Sequence, residues 1–358
     1  MDIAYDGAFE ILRNRVWRTY RGGAVLNRIE GLVDGDDHFP EDWVGSTTRA
    51  ANAGREHVHD EGVGKARTPD GCVVSMEEVY SSDPERALGR EHVRAFGSHP
   101  QLLVKLLDAA MRLHIQAHPS VAWAQRNLGV HSGKTEAWYV LETRQSPAWV
   151  YLGFQHPPTP AQWKRIVEDQ DVGAMEACFE RVPVTPGDVL LVKGGVPHAI
   201  GPGIFMVEVQ EPTDYVVRCE YAHGGLALPE SSRTMGLGLD RVLDLFDYTD
   251  YPLSQVAARF GPRIRVLVEG AGGREVALLE APQTDRFELR RIEALSDVEL
   301  SMDGRFSILI VLEGEGVLSA NGGQWRLRPW SRYFLPAAVE RVAVQGRCTL
   351  LRALPPRP

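Results

Sequence analysis

Residues 114–118, His-Ile-Gln-Ala-His, constrain the fold more than any other stretch of the chain. They follow the apolar run Leu102–Leu107 and precede Pro119. Read as a strand, side chains alternate between faces, so His114, Gln116 and His118 share one face and Ile115 and Ala117 the other. Two imidazoles and a carboxamide oxygen then meet at one point, as a first-row metal needs. Taken alone, the pentapeptide reads equally well as the polar side of a half-exposed strand.

Two further segments fit the metal reading. Gly133–Leu141 is strand-like and carries Glu136 near its start. Pro186–Gly201 reads as a turn, an apolar strand, a Gly-rich turn and a histidine, His198, entering the next strand. Order and spacing resemble the two cupin motifs, H-x-H…E and G-x5-P-x-G-x2-H, with Gln116 at the first His position and Lys193 where the proline usually falls. Side chains from three hairpins converge only if the sheet closes, as it does in a jelly roll.

The wording of these segments resembles a narrower family. LLVKLLDA…IQAHP, GKTEAWYVLE, VTPGDVLLVKGGVPHAIG and Glu208-Val209-Gln210 followed by Asp214–Arg218 are similar to class I (cupin-type) phosphomannose isomerase, most closely over residues 100–225. The resemblance implies a divalent metal, zinc being the family's usual choice, held by Gln116, His118, Glu136 and His198. It implies Arg218, in a T-D-x-x-x-R segment, and Lys134 as catalytic cations. It also implies Lys134, Glu208, Asp214 and Arg218 as substrate contacts, with Glu208 and Gln210 facing the barrel interior. The alternatives are a purely structural metal, surface salt bridges for Lys134 and Arg218, and a supporting role for Glu208 and Gln210. His114 departs from the family, where serine is common; on the face it shares with Gln116 and His118 it is read as a substrate contact, the alternative being a further metal ligand, and Lys193 adds a cation near the motif. The general base is open between His131, Lys134 and Glu208.

A formal net charge of −9, from 39 basic and 48 acidic residues, argues against a nucleic-acid partner and requires a local basic pocket for an anionic substrate. The N-terminus lacks an apolar signal core, and no apolar run reaches membrane-spanning length. Cys72, Cys178, Cys219 and Cys348 are scattered, without metal spacing or a disulfide framework. A cytoplasmic monomer or homodimer with reduced thiols is expected.

The 358 residues divide, on this reading, into a mainly β architecture of two cupin-like jelly-roll barrels with a small helical insert. Residues 1–225 form the catalytic metal-binding unit, with the insert at about 157–180. Residues 226–255 form a helical connection and 256–358 a degenerate cupin-like β domain, which has no histidine. Residues 51–75 read as a long surface loop with exposed His57 and His59, and residues 82–96 as one helix capped by Ser82 or Asp83 with Pro84 at its first position. The leading function is interconversion of mannose 6-phosphate and fructose 6-phosphate. The alternatives are an isomerase of another or unphosphorylated aldose and a non-catalytic sugar-binding cupin; a metal-dependent dioxygenase fits the Gln116 substitution less well.

Overall fold

A computed structural model describes residues 3–358. The chain is mainly β, as expected, and its first half contains two antiparallel sheets. One has six strands in the order Val189–Val192, Glu136–Thr143, Ile204–Gln210, Leu103–Ala109, Glu41–Val44 and Arg15–Val16. The other runs Val182–Val184, Ala148–Leu152, His198–Ile200, Gln116–Ala117 and Val217–Arg218. Apolar side chains of both sheets, among them Leu107, Trp138, Val140, Val150, Leu152 and Ile200, share one buried cluster, so the sheets face each other in the manner of a cupin.

Thr159 caps the insert helix Pro160–Glu168 through a reciprocal bond with Gln162, and Val172–Glu176 follows. The expected connection does not run free. Val242, Leu245 and Phe246 bury themselves against Trp163, Val167 and Met175 of the insert.

The C-terminal sheet has eleven strands, and three come from the N-terminal quarter of the chain. Phe9–Ile11 pairs with Arg332–Leu335 on one side and Lys65–Arg67 on the other, and Lys65–Arg67 pairs with Val73–Ser75. Strand pairing therefore crosses the boundary expected at residue 225. So does the core: Val104, Tyr139 and Val207 lie in one cluster with Ile308, Phe334 and Leu351.

Two expectations are corrected. Residues 65–75 form a hairpin, not loop; its strands are three residues long with Lys65 and Arg67 exposed, too short to show alternation in sequence. The helix over 82–96 is broken into Pro84–Leu88, capped by Asp83, and Arg90–Phe96. Gly89, at φ 105°, breaks it: a Cβ there would lie 2.2 Å from the Gly304 carbonyl oxygen. His57 and His59 are exposed.

Candidate metal centre and active site

Strand register assembles the centre. Gln116 is paired directly with His198 on one side and Arg218 on the other, so the three side chains share a face. In the opposing sheet Glu208 is paired with Lys105 and Trp138, and Glu136 with Gln210. The space between the sheets receives both sets.

His118, Glu136 and His198 offer ligand atoms that all lie within 4.8 Å of one another, and all three residues are buried. Each imidazole is oriented from behind. His118 donates from Nδ1 to the Tyr215 carbonyl and His198 from Nδ1 to that of Val196, both at 2.8 Å. A carbonyl only accepts, so each ring turns an unprotonated Nε2 inward. Those nitrogens lie 3.3 and 3.4 Å from the two Glu136 oxygens. Trp138 Nε1 donates to Glu136 Oε1 at 3.0 Å, while the buried Oε2 has no hydrogen-bond partner. The amide end of Gln116 comes within 3.4 Å of His198 Nε2. Two inward-facing imidazole nitrogens, an unpartnered carboxylate oxygen and an adjacent amide are the donors a divalent cation takes, so the residues fit such an ion.

Charge supports that fit. Burial alone would raise the Glu136 carboxyl, but Lys134 and then His118 outweigh it and hold it well below the usual range. Burial, reinforced by Lys134, lowers His118 to about 3, and burial lowers His198. Both rings are therefore neutral, the form that ligates metal.

Lys134 points into the same chamber, with Nζ 3.1 Å from His118 Nε2, 3.4 Å from Glu136 Oε2 and 4.0 Å from Glu208 Oε1. Glu208 is buried and makes only ion pairs, the other being with Lys105 Nζ at 3.6 Å. Burial pushes its carboxyl up to about 8 against the pull of Lys105. Arg218 donates from Nη1 to the Ser232 carbonyl at 2.8 Å. His114 lines the chamber near it, and burial followed by the Arg218 charge lowers that imidazole to about 3. Asp214 also lines the chamber, but Arg18 grips both its oxygens at 2.9 and 3.0 Å and the Ala51 N–H adds a third bond.

The inner chamber, about 50 Å³, opens past Asp214 and Arg218 into an outer cleft of about 520 Å³ bounded by residues 50–59 and 231–235. His118, Glu136, Lys134, Glu208, His114 and Arg218 thus line one chamber, with His198 against His118 and Glu136 in its wall.

Sequence reasoning missed several contributors. Arg18 also pairs with Glu41 at 3.0 Å, and Glu41 takes hydrogen bonds from Tyr20 and Trp43, both at 2.7 Å. Burial would raise Glu41, but Arg18 and Lys105 hold it down at about 2. Lys105 was hidden within an apolar run, and Asn52 within the supposed surface loop; both line the chamber. Two expectations are corrected. His131 is exposed and sits beside Gln125, outside the chamber. Lys193 is exposed as well, because the Gly-rich turn carries it outward. Gln210 is buried on the strand face it shares with Glu208, and its amide donates to the Glu211 and Thr213 carbonyls.

Residues 278–355 match the family described as "Mannose-6-phosphate isomerase, cupin domain". The chain is 24% identical over 96% of its length, and 97% of the relative's, to "Probable mannose-6-phosphate isomerase GmuF" of Bacillus subtilis. It is 26% identical over 78% of its length to the mannose-6-phosphate isomerase of Streptococcus mutans, of which 83% is covered. The crystal structure of the mannose 6-phosphate isomerase from Bacillus subtilis superposes with a TM-score of 0.74 at 20% identity, covering 97% of this chain and 99% of that one, a likeness of fold. The resemblance to cupin-type phosphomannose isomerases is borne out. No helix among the described residues is long and apolar enough to cross a membrane, and the four cysteines are unpaired.

Proposed function

We propose that the chain is a metal-dependent aldose–ketose isomerase that interconverts mannose 6-phosphate and fructose 6-phosphate through an enediol. The observation that carries this reading is the single chamber lined by His118, Glu136, Lys134, Glu208 and Arg218, with His198 completing the ligand trio behind His118 and Glu136. Residues 1–225 bear the chemistry in this reading, 226–255 connect, and 256–358 brace.

His118, Glu136, His198 and the Gln116 amide would hold the metal, for which zinc suits the donor set. When bound it supplies a Lewis acid for a sugar oxygen. Glu208 is assigned as the base by elimination among the chamber carboxylates. Glu136 is a ligand, Glu41 is saturated by Arg18, Tyr20 and Trp43, and Asp214 by Arg18 and Ala51. Glu208 has no hydrogen bond and a carboxyl poised near neutrality, as a general base needs. It removes the proton from C2 of the aldose and returns it to C1 of the enediol. Lys134 moves the hydroxyl proton from O2 to O1, and Lys134 and Arg218 stabilise the developing oxyanion. Asp214, expected as a substrate contact, is read here as the brace that fixes Arg18. The outer cleft takes the phosphate, with Arg218 at its throat.

Metal-loaded protein assayed with mannose 6-phosphate, mannose and other aldoses tests the reading. Formation of fructose 6-phosphate with solvent-hydrogen incorporation is expected. Turnover of an unphosphorylated aldose alone would shift the substrate, and no turnover of any aldose would reject the isomerase.

A further inference from the structure

One histidine of the chamber wall is unused by the chemistry above. His114 Nδ1 lies 3.1 Å from the Glu220 carbonyl oxygen. That carbonyl can only accept, so Nδ1 carries a proton. Among the described residues no carboxylate forms an ion pair with the buried ring, which shares the wall with the Arg218 guanidinium, a setting that keeps it neutral with a lone pair at Nε2. Nε2 is buried and has no hydrogen-bond partner, on a residue that is 4% exposed.

The ring cannot readily turn to satisfy it. His223 lies against the ring at 4.9 Å, itself bonded to the Arg112 carbonyl. Glu220 is locked by two 2.7 Å bonds from Arg112 and one of 2.6 Å from the Ile115 N–H. An acceptor fixed this firmly and left without a donor in a cavity wall matches a ligand group that donates.

We propose that His114 Nε2 accepts a hydrogen bond from a hydroxyl of the bound sugar, which makes His114 a specificity residue. The inference rests on the sugar-isomerase reading and adds a polarity to it. A hydroxyl can donate to the lone pair, whereas phosphate oxygens are acceptors and meet repulsion there. The sugar chain therefore lies along the inner wall with its phosphate directed away, past Arg218 and into the outer cleft. The serine common at this position in the resembling family both donates and accepts, and would impose no such polarity.

The test begins with wild-type, metal-loaded protein labelled with ¹⁵N-histidine, its His114 signals assigned by comparison with His114→Phe. Mannose 6-phosphate or mannitol should move the Nε2 resonance upfield, as hydrogen bonding to an unprotonated nitrogen does, and sulfate, an oxyanion with no donor, should not. In kinetics, His114→Phe should lose about 10–100-fold in kcat/KM for mannose 6-phosphate, and His114→Asn, which keeps an acceptor, should recover part. Of the 3-deoxy and 4-deoxy substrates, the one that wild type rejects should be handled by His114→Phe within about 2-fold of the parent. An Nε2 resonance unmoved by both polyhydroxyl probes, or moved by sulfate alone, overturns the proposal, and this reading does not require the variants to fold. Wild-type turnover with an unmoved resonance rejects the His114 contact alone. A moved resonance without turnover rejects the isomerase alone.

Discussion

Thr135 and Glu211 bond each other twice: the Thr135 N–H donates to Glu211 Oε2 at 2.8 Å, and the Glu211 N–H donates to the Thr135 carbonyl at 3.1 Å. The second carboxylate oxygen takes the Gly133 N–H at 3.1 Å. Lys134 and Glu136 flank Thr135, so this clamp sets the position of both side chains in the chamber.

Glu211→Ala should therefore loosen the segment without removing any ligand. Two backbone N–H groups lose their partner in a buried site, costing on the order of 2–4 kcal/mol of stability. Turnover should fall more than metal content. Thermal unfolding, metal analysis and kinetics on one preparation check it; unchanged turnover would show that the clamp does not position Lys134.

His118→Ala and His198→Ala should each lower bound divalent metal from about one per chain to well below it, since each removes a bond that the other donors cannot replace. Elemental analysis after dialysis decides the matter, and wild-type metal content in both variants would reject the trio as ligands.

Glu208→Gln should retain metal and lose on the order of 10³-fold or more in kcat. The wild-type pH profile carries the sign: the base must be ionised, and its carboxyl is pushed up to about 8, so kcat/KM should rise with pH towards that value and flatten above it. A profile that is flat between pH 6 and 9 would remove Glu208 from the role.

Arg218→Ala should cut kcat/KM by on the order of 10² or more while metal content and thermal midpoint change little. Arg218→Lys should recover only part, because an ammonium lacks the two-pronged contact of guanidinium. Near-normal activity in Arg218→Ala at full metal occupancy would weaken the isomerase reading itself.

How much of this was legible beforehand follows the length of the local pattern. His118, Glu136 and His198 stand in motifs whose alternation and turns are written over five to sixteen consecutive residues, and the structure brings their side chains together. Arg18, Glu41 and Lys105 carry no such signal. Glu41 and Lys105 reach the chamber through pairing of Glu41–Val44 with Leu103–Ala109, Arg18 follows the strand Arg15–Val16 that pairs with Glu41–Val44, and a lysine inside an apolar run is indistinguishable in sequence from one that faces water. The hairpin over 65–75 escaped for a related reason, since its partner strand Phe9–Ile11 lies over fifty residues away.

Deleting residues 260–358 should yield insoluble protein, because Val104, Tyr139 and Val207 share their core with Ile308 and Phe334. Gln324→Ala, on an exposed position of the same domain, should leave turnover unchanged. A soluble, active truncation, detected by gel filtration and assay, would contradict the shared core.

The central place of Phe9–Ile11 in the C-terminal sheet also sets a timetable for synthesis. Its partner Arg332–Leu335 is made roughly 320 residues later. At ribosomal rates that is an interval of roughly 15–65 s, during which the first strand must be kept from other unpaired edges. The N-terminal half cannot mature by itself as it leaves the ribosome; the last quarter of the message finishes the first strand's sheet.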